Sequence, residues 1–142
     1  MDYRELAIEL FINMRKIAKM PIQKKIGDIT QGEMMILGYL ISKKDGVSAG
    51  ELSEKLDLTT PRVASALNSL SKKGFIERSR NPSDKRIVIV NITAAGKKII
   101  LERREEAVSM AEQLLQKLGE RDASELIRIM KRINEIKNQN EL

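Results

Sequence analysis

Residues 56–92 decide the fold, and they read LDLTTPRVASALNSLSKKGFIERSRNPSDKRIVIVNI. Thr59 or Thr60 can cap the start of a helix, because a threonine hydroxyl accepts a hydrogen bond from a free backbone N–H of the first turn. Pro61 fits inside that turn, where its missing N–H leaves no hydrogen bond unmade. An apolar stripe with helical spacing follows, formed by Val63, Leu67 and Leu70. Gly74 ends the helix directly after two lysines, which lie favourably at the negative end of the helix dipole.

Two β-branched runs follow this helix, FIERSR at residues 75–80 and RIVIVNI at residues 86–92. The polar residues NPSDKR at 81–86 predict a turn between them, so the two runs are predicted to pair as an antiparallel hairpin. Val47 can supply one short additional strand, which would make a sheet of three.

Two capping boxes lie upstream of this stretch. Residues 30–33, TQGE, predict the start of a helix that continues to about Lys43, and a turn follows at Asp45-Gly46. Residues 48–51, SAGE, predict the start of a second, short helix, which ends at the tight turn of Asp57-Leu58. This short helix and the helix that starts at Thr59 are predicted to share a core made of Leu52, Leu56, Leu58, Val63 and Leu67. Two short helices followed by a hairpin indicate a winged helix-turn-helix, a fold that usually binds duplex DNA.

The charge distribution favours the same interpretation. The chain of 142 residues has 26 basic and 20 acidic residues, for a net charge of +6. Residues 61–98 contain nine of the basic residues but only two of the acidic ones, so this segment accounts for the excess. A localised basic patch is typical of a surface that binds a polyanion. The alternative is a basic surface that is merely solvated.

Composition excludes several classes of function. The chain contains neither Cys nor His, which excludes disulfides, thiolate catalysis, Cys/His zinc sites and imidazole acid–base chemistry. We therefore predict no enzymatic activity, no metal site and no cofactor. No apolar run approaches the ~20 residues of a membrane span, and the charged N-terminus does not resemble a signal peptide. A soluble, cytoplasmic protein that does not bind membranes is predicted.

Three further helices are predicted, at residues 2–19, 94–118 and 121–138. Pro21 ends the first of them, and residues 22–29 form a connector to the next helix. The helix over 94–118 is capped by Thr93 and ended by Gly119. The predicted fold class is mainly α with a small β-wing, a winged helix-turn-helix with N- and C-terminal dimerisation helices. Its predicted parts are residues 1–29 for dimerisation, 30–93 for DNA binding and 94–142 for dimerisation.

Wide apolar stripes on the terminal helices bear on quaternary structure. The winged unit, about residues 30–93, is too small to cover these stripes, so we predict a two-fold homodimer in which the terminal helices interleave. The alternative is an intramolecular three-helix bundle beside the winged unit.

The sequence resembles the MarR (multiple antibiotic resistance regulator) family of winged-helix transcription regulators along nearly its full length. The matching motifs are VSAGELSEKLDLTTPRVASALNSLSKKGFIER at 47–78, SDKR at 83–86 and NITAAGKKI at 91–99. The resemblance implies a homodimer that binds double-stranded DNA at a pseudo-palindromic operator, usually as a repressor, and that a small anionic or aromatic effector often releases. Without Cys or His, the peroxide-sensing and zinc-sensing branches of the family are not supported. The alternative function is an architectural, chromatin-like winged-helix protein without a dedicated operator or ligand.

The candidate DNA-binding residues lie on the predicted third helix and the hairpin: Thr59, Thr60, Pro61, Arg62, Ser65, Asn68, Lys72, Arg78, Arg80, Asp84, Lys85 and Arg86. Arg62 lies in the first turn of its helix, where the dipole disfavours a cation by roughly 0.3–1 kcal/mol. A base acceptor such as guanine O6 or N7 would compensate for this cost. The alternative is that the Arg62 side chain simply points into water. By resemblance, Arg86 is the minor-groove arginine of the wing and Asp84 the acid that orients it, the alternative being a turn-forming aspartate beside a solvated arginine. The remaining basic residues, including Lys73, are predicted to contact phosphates or to be solvated.

Overall fold

The structure is a computed structural model that describes residues 1–18 and 29–139. The described residues form six helices and three strands, in the predicted order. The elements are α1 (Tyr3–Ala18), α2 (Gln31–Leu40), β1 (Val47–Ser48), α3 (Ala49–Leu56), α4 (Thr60–Lys72), β2 (Ile76–Arg80), β3 (Val88–Ile92), α5 (Ala94–Leu118) and α6 (Glu120–Asn138). Pro21, predicted to end the first helix, and residues 22–28 of the predicted connector lie outside the described residues.

Both capping boxes start helices as predicted. The Thr30 hydroxyl accepts a hydrogen bond from the Glu33 N–H (3.2 Å), and the Ser48 hydroxyl accepts one from the Glu51 N–H (3.1 Å). Helix α2 ends at Leu40, three residues before the predicted end at Lys43. The Lys43 N–H bonds to the Leu40 carbonyl (2.9 Å), three residues back, so the chain has already tightened out of the α-helical ladder there.

The turn between α3 and α4 depends on Asp57, which adopts the left-handed conformation with φ of 52°. Ser53 closes this turn, because its hydroxyl donates to the Leu58 carbonyl (2.6 Å) while its carbonyl accepts from the Leu58 N–H (3.1 Å). Thr59 is the N-cap of α4, and its hydroxyl accepts from the Arg62 N–H (3.3 Å). The start of α4 is therefore fixed by short-range hydrogen bonds.

The end of α4 is a glycine-terminated cap of the Schellman type. Gly74 has φ of 78°, and its N–H bonds to the Ser71 carbonyl (3.1 Å). The Phe75 N–H reaches back to the Leu70 carbonyl (3.0 Å). These two bonds satisfy carbonyls that the helix would otherwise leave free, and they direct the chain into β2.

The predicted hairpin forms, although its second strand begins at Val88 rather than at Arg86. Strands β2 and β3 pair antiparallel from Ile76↔Ile92 to Arg80↔Val88. Val47 pairs with Val90, so the predicted third strand is present and the sheet order is β1-β3-β2.

The core lies between α2, α3, α4, the sheet and the first turns of α5. Its buried members are Ile36, Leu37, Leu40, Val47, Leu52, Val63, Leu67, Leu70, Ile76, Val90 and Ile100. Leu56 and Leu58 pack against this cluster as partly buried side chains, so the predicted shared core of the two short helices is confirmed. Phe75 packs there too, beside the start of α5.

Contacts divide the chain into two compact units, Met1–Leu101 and Glu102–Leu142. No residue of α1 or α6 is buried, and many of their large apolar side chains are exposed. None of the described helices is long and apolar enough to cross a membrane.

Candidate nucleic-acid interface

Helix α4 has two opposite faces. Its buried face carries Val63, Leu67 and Leu70. The outward face of α4, as we call the opposite side, consists of the exposed residues Pro61, Ala64, Ser65, Asn68 and Lys72. Small residues near its start and hydrogen-bonding side chains further along give this face the shape and chemistry needed to enter a DNA groove.

Arg62 is the third residue of α4, and its side chain is exposed. Thr59, Thr60 and Pro61 are exposed beside it at the start of the helix. A shallow groove runs between Arg62 and Ser65 on α4 and the start of α2; it is also lined by Thr30, Gln31, Gly32, Glu33, Leu58, Ala66 and Ser69. The guanidinium is therefore available for an external acceptor, and the base contact predicted for it stays a prediction.

A hydrogen bond links the hairpin to α4. Arg78, on β2, donates from Nη1 to Oδ1 of Asn68 (2.8 Å). The sequence predicts both residues as DNA-binding candidates but does not predict this contact, because helix periodicity and strand alternation do not show which side chain of one element meets which of the other. Two candidate residues from different elements are thus joined on one surface.

The hairpin turn is held by its own polar groups. Arg80 donates from Nη1 to the Lys85 carbonyl (2.8 Å), which ties the end of β2 to the turn. Asn81 accepts the Ser83 N–H on Oδ1 (2.8 Å). The Lys85 side chain is exposed. The turn therefore has a defined shape while its basic side chains face outward.

Asp84 and Arg86 form a two-point ion pair at this turn. Arg86 Nε lies 3.1 Å from Asp84 Oδ1, and Nη2 lies 3.1 Å from Oδ2. Asp84 Oδ1 also accepts the Arg86 backbone N–H (3.1 Å). Hydrogen bonds from the Arg86 side chain and backbone hold the pKa of the Asp84 carboxyl below its usual value. Asp84 thus shapes the turn and also aims Arg86, whose side chain stays 91% exposed.

Lys73 differs from its neighbour Lys72. Its Nζ lies 2.9 Å from Oε2 of Glu33, whose side chain is only 4% exposed. Lys73 was predicted to be either a phosphate contact or a solvated charge. The second alternative is wrong, because the ammonium group pairs with a buried carboxylate. Lys72 remains exposed on the outward face of α4. No local signal could have revealed the pair, since its members lie forty residues apart.

Comparison with known proteins finds relatives named as HTH-type transcriptional regulators. The chain is 34% identical over 83 residues to YdcH of Bacillus subtilis, an uncharacterised HTH-type transcriptional regulator. That alignment covers 52% of this chain and 56% of YdcH, so the chain spans little more than half of that relative. The model of the MarR family matches residues 29–88, which run from the start of α2 into β3. Residues 29–88 are therefore a domain of the MarR type.

Solved structures of other proteins share this fold. MepR, a transcription regulator of the Staphylococcus aureus multidrug efflux pump MepA, superposes with a TM-score of 0.72 at 22% identity, covering 95% of this chain and 98% of MepR. Streptococcus pneumoniae FabT, solved in complex with DNA, gives a TM-score of 0.72 at 23% identity, covering 97% of this chain and 99% of FabT. These likenesses show that the fold extends over nearly all of the chain.

Proposed function

We propose that this protein is a sequence-specific DNA-binding transcriptional regulator that represses from a pseudo-palindromic operator. The outward face of α4 carries this proposal, because it presents hydrogen-bonding side chains on a helix whose other side is anchored in the core. The name of YdcH as a transcriptional regulator and the DNA complex of FabT support the proposal. Such a regulator acts in the cytoplasm and has no catalytic role.

The two reading elements have different tasks in this proposal. The outward face of α4 enters the major groove, where Arg62 meets base acceptors and Lys72 meets a phosphate. Arg86 enters the minor groove, where a narrow A·T-rich segment has an enhanced negative potential. Asp84 restricts the Arg86 side chain before DNA arrives, so less conformational freedom is lost on binding. Lys85 and Arg80 contact the backbone and position the wing.

The dimer is proposed from the exposed apolar side chains of the terminal helices. Those of α1 are Tyr3, Leu6, Ile8, Leu10, Phe11, Ile12, Met14 and Ile17. Those of α6 are Leu126, Ile127, Ile129, Met130 and Ile133. Apolar side chains in such numbers mark an interaction surface on a protein in water. A second copy covers both sets by two-fold symmetry, and the same symmetry places two α4 helices on the two halves of a palindrome.

A small organic effector completes the proposal. Its binding residues are not assigned, and its action is predicted to be non-covalent because the chain has neither Cys nor His. Micromolar zinc, chelators and mild peroxide are therefore expected to leave DNA binding unchanged.

Selection of binding sites from random duplex DNA tests the proposal directly. A regulator should recover a palindrome, and its specific affinity should exceed its non-specific affinity by ~10³–10⁷. An architectural protein would recover no consensus and would show a ratio near one. Sedimentation equilibrium on the free protein tests the dimer separately, because an intramolecular three-helix bundle would give the mass of one chain.

A further inference from the structure

The hydrogen bond between Arg78 and Asn68 fixes which way the Asn68 amide points. A guanidinium has only donors and no acceptor, so the amide atom 2.8 Å from Arg78 Nη1 has to be the oxygen. The amide NH₂ group is therefore turned away from β2. This orientation follows from the chemistry of the partner alone.

Asn68 occupies the middle of the outward face of α4. Ser65 lies one turn before it and Lys72 one turn after it, and all three are exposed. A side chain at this place reaches toward the floor of a major groove when the helix lies in it. What the Asn68 amide presents there bears directly on sequence preference.

An asparagine with both amide atoms free pairs with adenine, since Oδ1 accepts from N6 while Nδ2 donates to N7. In this structure Oδ1 faces the Arg78 cation, and that positive charge disfavours the approach of a second donor such as the adenine amino group. The NH₂ group remains as a pure donor. Guanine presents two acceptors on its major-groove edge, O6 and N7, and so fits a pure donor better than adenine does.

We propose that Asn68 reads guanine rather than adenine in each half-site, and that Arg78 is the positioning residue that sets this preference. The inference rests on the proposed function, because it requires α4 to lie in the major groove. Arg78 thereby acts on sequence choice without touching the base, in addition to any phosphate it meets.

Binding-site selection on four forms of the full chain tests the inference. Asn68→Ala should lose the preference at one base pair of each half-site, which identifies the position that Asn68 faces. At that position wild type should favour guanine over adenine by about fivefold to tenfold, the lower part of the range for good base contacts. Arg78→Met should equalise or reverse this ratio, because the freed oxygen lets Asn68 pair with adenine at both atoms.

Arg80→Met is the matched control. Arg80 lies two residues further along the same strand and bonds to the Lys85 carbonyl, not to a side chain of α4. Arg80→Met removes the same charge as Arg78→Met, so it should weaken DNA binding while leaving the guanine-to-adenine ratio at the Asn68 position unchanged. An unchanged ratio in Arg78→Met as well, beside an intact palindrome, would overturn the inference and leave the proposed function standing.

A measurement without DNA separates the effect of Arg78 on Asn68 from the proposed DNA-binding function. In ¹⁵N–¹H spectra of the free protein, Arg78→Met should shift the Asn68 side-chain NH₂ signals, and Arg80→Met should not. Equal, negligible shifts in both variants would overturn the inference whatever the DNA result. If the shift is present but wild type recovers no consensus, the proposed function fails, and the reading role of Asn68 fails with it.

Discussion

Replacing Gly96 with alanine should destabilise the protein by about 2 kcal/mol, because α5 starts in direct contact with the chain entering β2. A Cβ built at Gly96 would lie 2.2 Å from the Phe75 carbonyl oxygen and 2.8 Å from Ile92 Cγ1. The Phe75 carbonyl cannot easily move, because it accepts the Thr93 N–H (3.0 Å). Overpacking costs ~1–3 kcal/mol, and this rigid backbone neighbour places the cost at the upper end. Alanine in a helix returns about 0.5–1 kcal/mol relative to glycine, which leaves the stated net effect.

Urea unfolding followed by circular dichroism measures this effect, at one protein concentration so that self-association shifts all variants alike. Gly38→Ala is the matched control, since Gly38 lies inside α2, is exposed, and has no heavy atom within 4 Å of its added Cβ. It should stabilise the protein by about 0.5–1 kcal/mol through helix propensity alone. The two substitutions should therefore have opposite signs. A Gly96→Ala protein as stable as Gly38→Ala would refute the argument from the close approach of α5.

Four further predictions concern the interface. The logarithm of DNA affinity should fall with the logarithm of salt concentration at a slope of about −0.9 per phosphate, with about 6–10 phosphates neutralised by a dimer. Lys85→Met should reduce the steepness of this slope by about 1 per protomer. A wild-type slope near zero would contradict the basic interface. In Arg86→Gln, the pKa of Asp84 measured by NMR should rise toward its ordinary value. Because the pKa of Asp84 is lowered in the folded protein, the pair stabilises the wing at pH values above the unfolded pKa near 3.8. This stabilisation is lost as the pH falls through the folded pKa. Leu114→Asp should give a monomer by sedimentation equilibrium and lose operator binding; a dimer that still binds would contradict the proposed interface. In binding-site selection, Arg62→Ala should relax the base preference at one or two half-site positions and lower the binding free energy by about 1–3 kcal/mol. Arg86→Ala should flatten only an A·T preference at the flanks. The reverse pattern would refute the placement of α4 in the major groove and of the wing in the minor groove.

The parts of the fold that could be predicted from sequence are those fixed by neighbours in the chain. Thr30, Ser48 and Thr59 each cap a helix three residues before the N–H they accept, so the pattern and the bond lie in one short window. Thr93 is a fourth example, since its hydroxyl accepts the Gly96 N–H (3.1 Å). The same hydroxyl donates to the Gly74 carbonyl (2.6 Å), nineteen residues away, and no periodicity predicts that bond.

The candidate site shows the same division between local and distant contacts. Asp84 and Arg86 are two residues apart, and their pairing was predicted by resemblance to the wing of the MarR family. The contact of Arg78 with Asn68 depends on how β2 packs beside α4, which is decided by the core. Which side chains reach bases is a further property, set by where DNA lies against the surface. The sequence therefore predicted the local pair of Asp84 and Arg86, whereas the contact between Arg78 and Asn68 could be seen only in the folded chain.

Helix α4 is held at its start, middle and end by polar contacts that leave its outward face available. Thr59 fixes the first turn, Asn68 is tied to the hairpin, and Lys73 pairs with Glu33 on α2. The Lys73 pair matters because an isolated carboxylate as buried as Glu33 would be costly, so the charge favours keeping the end of α4 beside α2. A helix held in this way cannot rotate about its axis to suit a wrong sequence without losing one of these bonds. Specificity in this protein is therefore expected to come from the fixed orientation of a few donors on α4, not from its net positive charge.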